Sequence, residues 1–149
     1  MPPHPQTNVR IEAPVSTVWR VLTDVEAYPE WNPEVLLHTP PAPGRRVRMT
    51  VRLFGRALTV PVRMLAVEPE RELCWRGGPR GLMTGTHYFR LEPDGDAATR
   101  VTHGERFEGL AVPLLWPFLR RELHAFYERI NAVLKSRCES QYAVRDPRP

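Results

Sequence analysis

Lysine is almost missing from this sequence: Lys135 stands alone among many arginines, although the formal net charge is +4. A basic balance invites a nucleic-acid reading. The arginines are scattered, however, and the densest group, Arg45, Arg46, Arg48 and Arg52, falls on an alternating stretch that reads as the solvated face of a strand. Nucleic acid is therefore not an expected partner, and arginine in place of lysine fits GC-rich coding and a bacterial source. Cysteine is scarce too. Cys74 and Cys138 lie in unrelated contexts, which argues against a disulfide framework or a zinc site and for two reduced thiols. No stretch is apolar for long enough to span a bilayer, and MPPHPQTN has neither part of a secretory signal, so the expected location is cytoplasmic. A Gly-x-Ser-x-Gly elbow is missing, as is a phosphate loop: the glycines from Gly77 to Gly85 have no helix behind them, and no cofactor is expected. With no internal repeat or low-complexity tract, 149 residues suit one domain over 1–149, its core at about 9–135 and its tail, 139–149, frayed.

What is present is clear periodicity. Asn8 to Glu12 reads as a strand, and Pro14 then opens a helix whose Val15, Val18, Trp19 and Leu22 share one face. Val25, Tyr28 and Trp31 carry a second short turn to Asn32-Pro33, where the residue before proline is pushed towards extended backbone. Val35 to His38 starts a strand that ends in a proline-rich loop. Val47, Met49, Val51 and Leu53 alternate with polar residues, Gly55-Arg56 suits a hairpin turn, and Leu58, Val60, Val62 and Met64 share a face on the return, where Pro61 marks an edge, a bulge or a bend. Glu72 to Arg76 turns Leu73 and Trp75 inward and Cys74 outward, and strands at Met83–Leu91 and Thr99–Phe107 form a hairpin. Leu119, Leu123, Phe126, Ile130 and Val133 then repeat at helical spacing along a long final helix, whose start relative to Pro117 is open. The expected fold is α+β: a curved antiparallel sheet of about seven strands around a long C-terminal helix, with two short helices after the first strand.

This order, with APVSTVWRVLTDVEAYPEWNPEV, the WRG of Trp75 to Gly77, GTHYFRLEP at Gly85 to Pro93 and TRVTHGERFEG at Thr99 to Gly109, resembles the SRPBCC superfamily, the START-like helix-grip proteins. The resemblance runs from roughly Val9 to Lys135 and is to the polyketide cyclase/dehydrase and lipid-transport group in particular. It implies a hollow between the sheet and the final helix that holds a small hydrophobic molecule. Met49, Val51, Val62, Met64 and Trp75 are then wall or ordinary core, and Phe89, Phe107, Leu123 and Phe126 join them as expected ligand contacts.

Parity singles out three polar residues on the inward face. In the last hairpin, Met83, Gly85, His87, Phe89 and Leu91 oppose a polar set, and Val101, His103, Glu105 and Phe107 do the same on the partner strand. Both inward sets are odd-numbered, so a regular register places His87 opposite His103 or Glu105. A buried carboxylate needs a partner, a proton or water. The three are therefore a structural network, the polar contacts of a ligand, or an acid–base group in which His87 or His103 moves a proton and Glu105 tunes it. A two-histidine, one-carboxylate iron site is the weakest alternative, and no metal is expected. Leu110 to Phe118, LAVPLLWPF, reads as buried cap, partly buried lid or a surface that meets a membrane or a partner, a second copy of the chain among them. A binding protein is the first expectation and a cyclase or dehydratase the second.

Overall fold

A computed structural model describes residues 2–145. The chain runs β1 (Gln6–Ile11), α1 (Val15–Thr23), a 3-10 turn (Val25–Ala27), α2 (Tyr28–Trp31), β2 (Val35–Leu37), β3 (Arg46–Leu53), β4 (Arg56–Glu68), β5 (Glu72–Gly77), β6 (Thr84–Pro93), β7 (Thr99–Glu108) and α3 (Val112–Arg145). The strands form one antiparallel sheet of seven, ordered β1-β7-β6-β5-β4-β3-β2, which curves around α3. The fold is thus the α+β helix grip. No helix among the described residues is long and apolar enough to cross a membrane.

Local chemistry explains most boundaries. Pro14 stands just before α1 in extended conformation, its carbonyl accepting from the amides of Thr17 and Val18. Asn32 is buried, and its side-chain oxygen accepts from the amides of Glu34 and Val35 at 3.0 and 3.1 Å, which turns the chain into β2. The first strand begins two residues before its expected start, because the carbonyls of Pro3 and Pro5 already accept from Phe107 and Glu105 of β7. This N-terminal stretch also packs on the outer face, where the Tyr88 hydroxyl donates to Gln6; Tyr88 and Cys74, paired with it across β5 and β6, are both buried on the side expected to face water.

The β3–β4 hairpin corrects one expectation, the place of its turn, and decides another, since Pro61 marks an edge and not a bulge. The turn residues are Phe54 and Gly55, both at positive φ (51° and 71°), between the paired Leu53 and Arg56, so the turn is of type I′ and lies one residue earlier than expected. The bulge falls at Leu65, between the pairs Met64↔Trp75 and Ala66↔Cys74, and not at Pro61. Met64 exchanges hydrogen bonds with Gly44 and Arg45, so alternation turns the backbone of Pro61 towards β5, past its last paired residue, Gly77. A missing amide hydrogen there breaks no ladder bond.

The C-terminal helix starts at Val112 and takes Pro117 into its second turn. Its buried face is Leu123, Phe126, Tyr127, Ile130, Asn131, Leu134 and Cys138; Val133, expected on that face, is only half-buried, and Leu134 takes its place. The helix runs on past Cys138 to Arg145, with Glu139 accepting from the amide of Glu12 and pairing with Lys135; residues 146–149 of the expected tail lie outside the described part. Helix and sheet pack through Ile11, Leu73, Val101, Ile130 and Leu134, none more than 1% exposed.

Candidate functional site

The β6–β7 register pairs His87 with Glu105 and Phe89 with His103. All four side chains project to the concave face, and the two imidazoles meet there, Nε2 to Nε2 at 2.6 Å. Behind them, His103 Nδ1 lies 2.8 Å from Asn131 Oδ1, Asn131 Nδ2 donates to Thr7 Oγ1 at 2.8 Å, and the Thr7 hydroxyl donates to the His103 carbonyl at 3.0 Å. Burial keeps both rings neutral. It holds His87 well below the ordinary imidazole range, with His103 adding to the effect, and takes His103 down to about 4 against the opposing bond to Asn131.

Glu105 makes no bond to either imidazole and instead accepts from the Tyr127 hydroxyl through Oε2, at 2.6 Å. Burial pushes its carboxyl up to about 7, with the Tyr127 bond opposing the rise, so it exchanges a proton near neutral pH. Space for it depends on Gly85, where a Cβ would collide with Glu105 Oε1. The expected His/His/Glu cluster is therefore an imidazole pair beside a separate carboxyl–phenol pair. Among the described residues no three groups stand ready to hold a metal ion, the two imidazoles having turned Nε2 on each other.

Two adjoining hollows lie between the sheet and α3. The first, about 150 Å³, is lined by Val35, Met49, Val51, Leu53, Trp75, Met83, Phe107, Leu119, Leu123 and Phe126, and its polar wall groups are His87 and Glu105. The second, about 390 Å³, shares Met49, Trp75, Met83, Glu105 and Phe107 with the first and continues past Val60 and Val62 to the 77–82 loop, Ala111 and Leu115. Of the residues picked out in the sequence, Met49, Val51, Trp75, His87, Glu105, Phe107, Leu123 and Phe126 border the first hollow and Val62 the second. His103, Phe89 and Met64 border neither. His103 stands behind His87, Phe89 stacks on His103 with ring centroids 4.2 Å apart, and Met64 is 1% exposed in the core.

Sequence reasoning missed Tyr127, Asn131 and Thr7, and it also passed over Leu53 and Met83. The first two carried a signal: Tyr127, Asn131, Leu134 and Cys138 follow at spacings of four, three and four along the buried helix face. The segment at 110–118 is not a buried cap. Val112 is 3% exposed, whereas Leu110 is 89%, Leu114 73% and Phe118 75% exposed. Its entry is fixed to the 77–82 loop, since the amides of Leu110 and Ala111 donate to the carbonyls of Gly81 and Leu82, and a Cβ at Gly109 would strike the Leu82 carbonyl.

A curved sheet gripping one helix over an apolar hollow with a few polar groups defines a class of protein, and residues 4–139 match the model of one family in it, polyketide cyclase / dehydrase and lipid transport. The chain belongs to that family. Among solved structures it is similar to the ZhuI aromatase/cyclase of Streptomyces sp. R1128, at 18% identity and a TM-score of 0.79 over 95% of this chain and 96% of that one. A START superfamily protein of Mycobacterium smegmatis has 21% identity and a TM-score of 0.75 over 93% and 98%, and a protein of Thermus thermophilus has 16% and 0.74 over 93% and 99%. At these identities the likeness is one of fold. No curated protein sequence matches the chain.

Proposed function

We propose that this protein binds a small hydrophobic or amphipathic molecule between its sheet and α3. The observation that carries the reading is the first hollow, where the walls are apolar except for His87 and Glu105. Native mass spectrometry of freshly purified protein tests it: the wild type is expected to carry a bound small molecule, and Leu123→Trp, which fills the hollow, to lose it. A wild type that is empty and gains no thermal stability from added fatty acids or aromatic compounds would sink the reading.

A second reading, a cyclase- or dehydratase-like enzyme, draws on Glu105, whose carboxyl exchanges a proton near pH 7 at the wall of the same hollow. The aromatase/cyclase name of the Streptomyces relative points the same way. In this reading Glu105 or a histidine moves a proton on a polyketide-like substrate while the apolar walls impose its shape. His103→Ala and Glu105→Gln separate the two readings: lost turnover with retained affinity marks an enzyme, and a wild type without turnover whose affinity falls in both variants marks a binder.

A further inference from the structure

The hydrogen bonds behind the first hollow leave only one placement of protons. The His103 carbonyl can only accept, so the Thr7 hydroxyl proton is spent on it, and Asn131 Nδ2 must be the donor to Thr7 Oγ1. That turns Asn131 Oδ1, an acceptor only, towards His103 Nδ1, which therefore carries the proton of its neutral ring. His103 Nε2 is then a lone pair, and His87 Nε2, 2.6 Å away, must donate to it. The remaining ring nitrogen of His87, Nδ1, is left as a bare acceptor. It has no hydrogen-bond partner among the described residues and under 1 Å² of accessible surface, on a side chain 4% exposed that borders both the first hollow and a void of about 10 Å³, so a ligand in the hollow reaches it by parting the wall. Trp75 lies across the same ring at 4.4 Å between centroids, so the imidazole has little freedom to turn away.

We propose that His87 Nδ1 is a built acceptor for the bound molecule, which selects apolar ligands carrying a hydroxyl, phenolic or enolic, over the same skeleton without one. This rests on the binding reading above and adds a ligand class to it. The selection belongs to His87 alone. Glu105, with a carboxyl that donates or accepts around neutrality, distinguishes a hydroxyl from a carbonyl poorly, whereas the relay through His103, Asn131 and Thr7 makes His87 Nδ1 an acceptor only. The first hollow, about 150 Å³, has the size that takes a benzene ring in another protein, and the second adjoins it, so bicyclic probes are suitable.

Affinities of the full chain for 2-naphthol, 2-methoxynaphthalene and naphthalene, measured by calorimetry, test the proposal alongside nitrogen-15 NMR of its histidines. The expected result is 2-naphthol bound about 3- to 10-fold tighter than its methyl ether. That preference, read as the ratio of the naphthol and ether affinities, is expected to vanish in His87→Phe whatever the variant's overall affinity. The NMR, which needs no variant, is expected to show His87 protonated at Nε2 and bare at Nδ1, with the Nδ1 signal moving on addition of 2-naphthol. A proton found on Nδ1 overturns the proposal. Naphthol and ether binding alike while naphthalene still binds overturns it too, and gives the acceptor to a buried water in the separate void of about 10 Å³ that His87 also lines. If none of the three probes binds, the ligand class falls, whereas the binding reading stands or falls by the native mass spectrometry and thermal-stability test above, and the NMR still reports the proton placement.

Discussion

At the deep end of the space under α3, around Tyr127 and Asn131, nearly every buried polar atom has a partner, and the backbone leaves room for one specific neighbour at Gly85. At the outer end, around Leu110 to Phe118, large apolar side chains stand in solvent on a helix turn that contains a proline. Both ends adjoin the hollows, through Glu105 at the one and Ala111 and Leu115 at the other, yet the first is held by hydrogen bonds among its side chains and the second through its backbone at 110 and 111. The difference teaches where stability and tolerance lie. Removing a group from the deep end strands its partners in a dry place, whereas removing one from the outer end strands nothing.

The contrast breaks most readily at Asn131. Asn131→Leu leaves the His103 Nδ1 proton and the Thr7 hydroxyl oxygen without a partner, and a loss of about 2–4 kcal/mol is expected in denaturant unfolding. Acid should reach the same place by another route. His103 titrates at about 4 when folded and near 6.5 when unfolded, so the unfolded chain binds the extra proton first. Its contribution is present above pH 6.5 and is lost as the pH falls through 4, on the order of 3 kcal/mol. Glu105, raised to about 7 from 4.5, favours the folded state as the pH falls through that window. Glu105→Gln should therefore steepen the acid loss, as thermal melts from pH 7 to 4 would show.

Smaller effects sharpen the comparison. Gly85→Ala forces the Glu105 carboxyl off Tyr127 and is expected to cost about 2 kcal/mol in the same unfolding assay. Tyr127→Phe removes the one hydrogen bond that holds the Glu105 pKa down. A cost of about 1 kcal/mol and a carboxyl midpoint above 7, followed by carbon-13 NMR, are expected. At the outer end, Leu114→Ser and Phe118→Ser should change stability by less than about 0.5 kcal/mol. A loss as large as that of Asn131→Leu would mean that the exposed segment is covered in solution.

The sheet was legible because a strand has a period of two and its faces differ in polarity. Odd-numbered inward sets on β6 and β7 narrowed the partner of His87 to two residues, and the structure selects Glu105. The β3–β4 turn slipped by one residue because an exposed phenylalanine, Phe54, takes a positive φ that side-chain chemistry gives no reason to expect. The site was half legible for a related reason. Counting only apolar residues on α3 traced a stripe through Val133 and passed over Tyr127 and Asn131, although both share the buried face. Their partners, Glu105 and Thr7, are distant in sequence and come together only through the sheet. Tyr88 was assigned to solvent because no periodicity announces that His4 and Gln6 reach its hydroxyl, and Cys74 is its buried neighbour across the sheet.

Lys135 bonds to the Arg10 carbonyl at 3.0 Å and pairs with Glu139, tying the C-terminal rod to the first strand. Because the sequence contains no other side-chain amine, acylation of the one lysine by an amine-directed reagent, read on the peptide that carries it, becomes a footprint of that docking. Slow labelling of Lys135 would report a rod seated against β1, and labelling at the speed of a free amine would report that it had swung away.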